Sequence, residues 1–351
     1  MDSILAPLTL YPDVPALILA PMQGLTDAPM RALQGETGAF TFAVSEFLRI
    51  SSDVPSAKLF RRHVPELSEG AVTRTGLAVQ VQLLGGHAGR MAASAMLACT
   101  AGARAIDINF GCPAPTVNKH DGGAALLKEP KRIREIVSAV REAVPNEIPV
   151  SAKLRLGWDS MDAIFENAAM AEEGGADWIT IHGRTRVQGY SPPAYWNPIG
   201  AVRAQLSIPV VANGDLWTLE DFRRCREETG CVHFMLGRGA LANPLLSHQV
   251  ARELGLTSEL PAEAYDWATL LQRFVLWNEA FRSTSPRFLL ARVKHWLNIA
   301  GHHGNFDGFE TVKRAESVEE IFAFLDYSAK MSATAIESFS NTTEATACVS
   351  V

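Results

Sequence analysis

Cys112 stands between Gly111 and Pro113, just past the apolar run that begins at Ala105. Asn109 precedes it with a side-chain amide, and Pro113 and Pro115 stop any strand there. A free cysteine is most often a small core hydrophobe. Held between Gly and Pro at a strand end, this thiol is badly placed for packing and well placed for a chemical role. Lys153 and Arg155 lie two residues apart, as do His182 and Arg184, so on an extended strand each pair shares a face. Buried Lys and Arg are rare without a partner. The four basic groups therefore point to an anionic or electron-rich ligand, the alternative being a salt-bridge cluster with Glu46 and Asp215. Asn213-Gly214-Asp215 and Gly237-Arg238-Gly239 let the backbone approach closely with its N–H groups outward, which suits a phosphate.

Such residues act together only if the fold converges them. Short apolar runs cover Leu17 to Met22, Phe40 to Phe47, Leu77 to Leu84, Ala105 to Phe110, Val150 to Leu156, Trp178 to His182, Pro209 to Ala212 and Val232 to Leu236. Helical segments alternate with them, including His87 to Thr100 and Lys131 to Val144. Eight such units in about 250 residues predict an α/β fold of the (β/α)8 TIM-barrel type, with a doubly wound open sheet as the competing architecture. Gln23, Glu46, Gln82, Asn109, Lys153, Arg155, His182, Arg184, Asn213, Asp215 and Arg238 all fall at or after strand ends. In a parallel barrel those ends meet at one mouth, where active sites sit.

Composition narrows the class. The chain has 351 residues, 47% hydrophobic and 20% charged, which fits a large core. Its 5 cysteines have no paired spacing, so neither a disulfide framework nor a metal site is expected. No apolar run approaches the roughly 20 residues of a membrane span, and no signal peptide is evident. The expectation is a cytoplasmic protein without a membrane or an obligate protein partner. A net charge of -6 argues against indiscriminate nucleic-acid binding and leaves room for a local basic surface.

Leu19-Ala-Pro-Met-Gln-Gly-Leu-Thr-Asp27, Val81-Gln-Leu-Leu-Gly85, Asp107-Ile-Asn-Phe-Gly-Cys-Pro113, Lys153-Leu-Arg-Leu-Gly157, His182-Gly-Arg-Thr185, Ala212-Asn-Gly-Asp215 and Gly237-Arg-Gly-Ala-Leu241 occur in that order. With Ala291-Arg-Val-Lys-His-Trp-Leu297 after them, they make the chain resemble the tRNA-dihydrouridine synthases. Leu156-Gly-Trp-Asp-Ser160, Gln188-Gly-Tyr190 and Asp215-Leu-Trp217 are similar to the bacterial C-type subgroup, which reduces uridine 16 of the tRNA D-loop. Position 23 is Gln where many members carry Met or Glu.

The resemblance implies non-covalent FMN in the barrel mouth, NADPH as reductant and tRNA as substrate. Pro21, Met22 and Gln23 would line the flavin ring through their backbone, with Gln82 at its pyrimidine edge. Lys153 would face the ring atoms that gain charge on reduction, and His182 would contact the cofactor. Asn213, Gly214, Asp215, Gly237 and Arg238 would hold the phosphate. Asn109, Arg155 and Tyr190 would contact uracil, Arg184 a nucleotide phosphate, and Cys112 would donate a proton. A thiol with a pKa near roughly 8.5 is protonated at neutral pH and can serve as that acid.

The barrel is expected over residues 1–258, a helical tRNA-binding domain over 259–331 and a disordered tail over 332–351. Helices are predicted at about Tyr265 to Phe281, Arg287 to Ala300 and Val318 to Tyr327, with Leu270, Phe274, Trp277 and Phe281 as a core stripe. A solvated face is the ordinary reading of the basic residues there. The resemblance makes Arg292 and Lys294 tRNA contacts. A barrel flavoenzyme acting on a free pyrimidine and a nucleic-acid-binding chaperone are the other readings.

Overall fold

The computed structural model describes residues 8–257, 266–281 and 285–326. The chain divides into two compact units, residues 1–262 and 263–351.

The first unit is built on β1 (Ala16–Leu19), β2 (Phe42–Val44), β3 (Leu48–Arg49), β4 (Ala78–Leu84), β5 (Ile106–Asn109), β6 (Val150–Gly157), β7 (Trp178–Thr185), β8 (Val210–Asn213) and β9 (His233–Leu236). Every pairing between them is parallel. Because β2 pairs with both β1 and β4, and β1 with β9, eight strands close into the expected barrel. The two-residue β3, which the apolar pattern did not announce, is added beside the end of β4.

Local signals set the helices that ring the barrel. Asp27 caps Ala28–Gly35 by accepting from the Met30 N–H, and Pro130 opens Pro130–Ala143 where its missing N–H costs nothing. Thr218 and Asp221 form a reciprocal capping box at the start of Leu219–Thr229. Ile106, Ile108, Val81, Leu83, Ala152, Leu154, Ile179 and Ile181 are buried in one cluster with helix residues such as Met91, Ile133, Val137 and Ile164.

Alternation along the strands turns the remaining positions inward. One half of the lumen is apolar, with Ala16, Ile18, Ala20, Phe42, Val44, Trp178, Val211 and Met235 in a separate cluster. The other half is polar and still buried, with Gln80, Gln82, Asp107, Asn109, Ser151 and Thr180. A lumen with one polar side can hold a ring against an apolar floor while directing hydrogen bonds from the wall.

The second unit contains the helices Trp267–Ala280, Pro286–His302 and Phe309–Val312, and a helical run over 318–326. Asp266 and Ser285 cap the first two with side-chain oxygens. Its core includes Leu270, Phe274, Trp296 and Leu297, with Trp267 edge-on to Trp296 at 5.5 Å and Phe274 at 5.4 Å from the same ring. Trp277 and Phe281 of the expected stripe are only half-buried. The expected boundary at 258/259 and the tail over 332–351 lie outside the described residues.

Candidate active site

The C-terminal strand ends enclose a cavity of about 340 Å³. Pro21, Met22 and Gln23 line it after β1, Asn109 at the end of β5 and Cys112 after it, Lys153 and Arg155 on β6, and His182 on β7. Asn213, Gly214 and Asp215 follow from β8, Gly237 and Arg238 from β9, and Tyr190 from the loop after β7. Neighbouring register explains the convergence, since Asn109 lies opposite Lys153, Arg155 opposite His182, and His182 opposite Asn213.

Each group has a distinct setting. Lys153 Nζ donates to Asn213 Oδ1 at 3.0 Å, and desolvation pulls the ammonium pKa down to about 8. His182 is held neutral, because burial and then the nearby Arg155, Lys153, Arg184 and Arg238 push its pKa well below the ordinary imidazole value. Arg155 donates to the carbonyls of Gly111, Thr185 and Gly189 at 2.8, 3.0 and 2.8 Å, so it ties the β5 loop to the β7 loop. Burial raises the Cys112 pKa, opposed in part by a backbone hydrogen bond at Ala114 and by the charges of Arg155 and Arg49. The thiol is therefore protonated at neutral pH.

Arg238 lies between the rings of Tyr190 and Trp217, at 4.8 and 4.9 Å from their centres. Stacking holds the guanidinium plane while leaving its N–H edge for an anion. Gly239 is required beside it, since a Cβ there would meet the Leu216 carbonyl oxygen at 1.9 Å. His182 Nδ1 and Asp215 Oδ1, both on residues of the wall, are buried without a hydrogen bond. Orphaned polar atoms of this kind mark a site shaped for a polar ligand.

Several expected residues do not reach the cavity wall. Gln82 is 0% exposed, and its amide bonds Asp107 and Asn109 beneath the wall. Arg184 lies beside the wall without lining it: its side chain pairs with Asp215 of the cavity and its Nε donates to the Ser191 carbonyl at 2.7 Å. The cause is a register shift, because Arg155 to Gly157 on β6 spans His182 to Thr185 on β7. The extra residue on β7 breaks the two-residue period that would have put Arg184 on the face of His182. Arg292 and Lys294 belong to the second unit. Arg292 is 7% exposed, with its guanidinium over Phe274 and Nη1 donating to Asn278 Oδ1 at 3.4 Å. Lys294 is half-buried. Phe47, Leu216 and Trp217 are also on the wall without having been singled out as site residues. Asp107 is the buried acid that sequence reasoning passed over, although its place two residues before Asn109 puts it on the same inward face.

A family model for dihydrouridine synthases (Dus) matches residues 18–300. The tRNA-dihydrouridine(16) synthase of Pseudomonas putida is 44% identical over 281 residues, covering 80% of this chain and 86% of that protein. The tRNA-dihydrouridine(16) synthase of Neisseria meningitidis serogroup B is 43% identical over 315 residues, covering 88% and 93%. Among solved structures, histamine dehydrogenase from Rhizobium sp. 4-9 matches with a TM-score of 0.53 at 15% identity. That match covers 79% of this chain and 51% of that one, and it is a likeness of fold. With the family match running from the first barrel strand into the helix Pro286–His302, the chain belongs to the dihydrouridine synthase family.

Proposed function

We propose that this protein is a cytoplasmic tRNA-dihydrouridine synthase that reduces the C5–C6 bond of uridine 16 in the tRNA D-loop, with non-covalent FMN and NADPH. The observation that carries the reading is one cavity wall shared by a protonated Cys112, the Lys153 ammonium, neutral His182 and the glycine loops of β8 and β9. The relatives named tRNA-dihydrouridine(16) synthase supply the substrate and the position.

The donor set fits a flavin mononucleotide. Arg238 and the backbone of the Asn213-Gly214-Asp215 and Gly237 loops would take the phosphate, and the backbone of Pro21 to Gln23 the ring. The Asp215 carboxylate is turned to Arg184, and the Asn213 amide to Lys153 and Met235. Lys153 would answer negative charge on the ring, and His182 has a buried Nδ1 without a hydrogen bond to offer it. FMN held there and reduced by NADPH would supply a hydride for uracil C6. Cys112 gives its thiol proton to C5 as charge develops there, and burial keeps that proton in place until the substrate arrives. Arg155 is fixed by three carbonyls and faces the cavity, so it meets a uracil carbonyl that gains charge without rearranging. Tyr190, 58% exposed at the rim, offers a ring face to a base extruded from the tRNA.

Mapping dihydrouridine in tRNA from cells that lack the protein tests this. Loss at position 16 with other D-loop positions intact is expected. Intact dihydrouridine at 16 together with reduction of free uracil by the purified protein would replace the reading with a small-molecule reductase.

A further inference from the structure

Below the cavity runs a chain of buried hydrogen bonds that ends on the backbone of Cys112. Gln80 Nε2 donates to the Ile106 carbonyl at 3.1 Å and to Ser151 Oγ at 2.9 Å. Ser151 Oγ donates to Asp107 Oδ1 at 2.5 Å. Gln82 Nε2 donates to Asp107 Oδ2 at 2.7 Å, and Asn109 Nδ2 to Gln82 Oε1 at 2.8 Å. Asn109 Oδ1 then accepts from the N–H groups of Gly111 and Cys112, both at 2.9 Å. No side chain in the chain of bonds is more than 8% exposed.

We infer that Asp107 is a positioning residue: its Oδ2 fixes which way the Gln82 and Asn109 amides face, and through them anchors the backbone that carries Cys112. An amide side chain has a donor end and an acceptor end, and its orientation is set by its partners. Here both ends of the chain dictate one solution. The backbone N–H groups at 111 and 112 demand an acceptor from Asn109. The Ile106 carbonyl fixes Gln80 Nε2 as the donor to Ser151 Oγ, so the Ser151 hydroxyl proton turns to Asp107 Oδ1. With Asp107 ionised, the single arrangement that satisfies both ends has Gln82 donating into Asp107 Oδ2. Burial raises that carboxyl's pKa, and the Ser151 and Gln82 hydrogen bonds and the Lys153 charge oppose the shift. Reversing either amide would set donor against donor in a buried site, and such a mismatch has no water to relieve it. The catalytic consequence, a correctly placed thiol, rests on the proposed function. The bond polarity does not.

The test is a charge relocation followed by thermal melting and by iodoacetamide alkylation of Cys112, neither of which needs turnover. Asn109→Asp alone places a second acceptor against Gln82 Oε1, and Asp107 blocks the flip that would relieve it. The expected result is a melting temperature lower by about 5 °C or more and Cys112 alkylation faster by about tenfold. Adding Asp107→Asn should suppress both defects. The amide introduced at position 107 can then donate to a flipped Gln82, whose Nε2 donates to the carboxylate introduced at position 109. Ser151 still finds an acceptor in the oxygen of the new amide. Asp107→Asn alone should also lower the melting temperature, because its one oxygen cannot accept from both Gln82 and the Ser151 hydroxyl, and one of those buried donors then faces the new NH2. A double variant that folds where Asn109→Asp does not is the strongest support. A harmless Asn109→Asp, or a double variant no better than Asn109→Asp or equally unfolded, overturns the assignment. Failure to form dihydrouridine in an otherwise normal protein would instead count against the proposed function.

Discussion

Lys153 Nζ donates to Asn213 Oδ1 by reaching past β7 to the strand beyond it, and so links the β6 side of the cavity to the glycine loop after β8. Asn213 in turn donates through Nδ2 to the Met235 carbonyl at 2.8 Å, which fixes its oxygen toward the lysine. One cation is thereby aimed by strands β8 and β9 before any ligand arrives.

That lysine should give the enzyme an alkaline limit. Its ammonium is disfavoured by burial and its pKa lies at about 8, against 10.5 ordinarily. Folded-state protonation is therefore complete below that value and lost as pH rises through it. Affinity for FMN should fall above pH 8, approaching about tenfold per pH unit. Lys153→Met should bind FMN weakly at every pH and show no such break. Titration of apoprotein with FMN across the range checks this, and a flat profile well above pH 8 would remove Lys153 from cofactor binding.

Cys112→Ala should retain FMN and accept electrons from NADPH, yet lose tRNA reduction by about 10²–10⁴-fold, the range of a missing general acid. Cys225 and Cys231 are buried and their thiols are pushed up by burial, Cys231 to about 11, so their Ala variants should keep turnover. Single-turnover reduction of tRNA by pre-reduced enzyme separates the steps. Normal turnover in Cys112→Ala would end the acid assignment.

The barrel and most of its mouth were legible because apolar runs and strand-end polar residues are local signals. Leu17 to Met22 and Pro209 to Ala212 read as buried strands, and once eight such strands close into a barrel the polar residues just past each face the mouth. The position of Arg184 behind the wall has a different cause. Strand periodicity predicts its direction correctly until one extra residue enters β7, and that depends on pairing with β6. Asp107 was hidden for the opposite reason. Its position was legible, but its partners Gln82 and Ser151 lie 25 and 44 residues away and meet it only when the barrel closes. Arg292 read as a surface cation by charge alone. Its burial over Phe274 comes from the crossing of Trp267–Ala280 with Pro286–His302.

His233 makes stability depend on pH. It is 1% exposed at the start of β9, and burial lowers its pKa from 6.5 to about 4. The unfolded chain binds a proton there between those values and the folded one does not. Stability is thus full above pH 6.5, falls as pH drops toward 4 and changes no further from this group below that. The loss amounts to about 3 kcal/mol. Denaturant melts at pH 7 and pH 4.5 should differ by less in His233→Gln than in wild type. An equal difference would show that other groups set the acid limb.

The two basic residues of the second unit should separate docking from folding. Phosphate contacts position a nucleic acid and weaken with salt. Lys294 retains exposure for such a contact, whereas Arg292 is packed over Phe274 with Asn278 as a hydrogen-bond partner. Lys294→Glu should raise the KM for tRNA and reduce its salt dependence by about one phosphate contact, with FMN content and melting temperature unchanged. Arg292→Glu should instead lower the melting temperature of the second unit, because it buries a carboxylate against an aromatic face. Any rise in KM would then follow from that loss. The decisive comparison is Arg292→Met, which keeps the packing and removes the charge. Wild-type KM in Arg292→Met with a raised KM in Lys294→Glu is the expected pattern. A raised KM in a fully stable Arg292→Met would assign Arg292 to tRNA after all, through a charge that acts from beneath the surface.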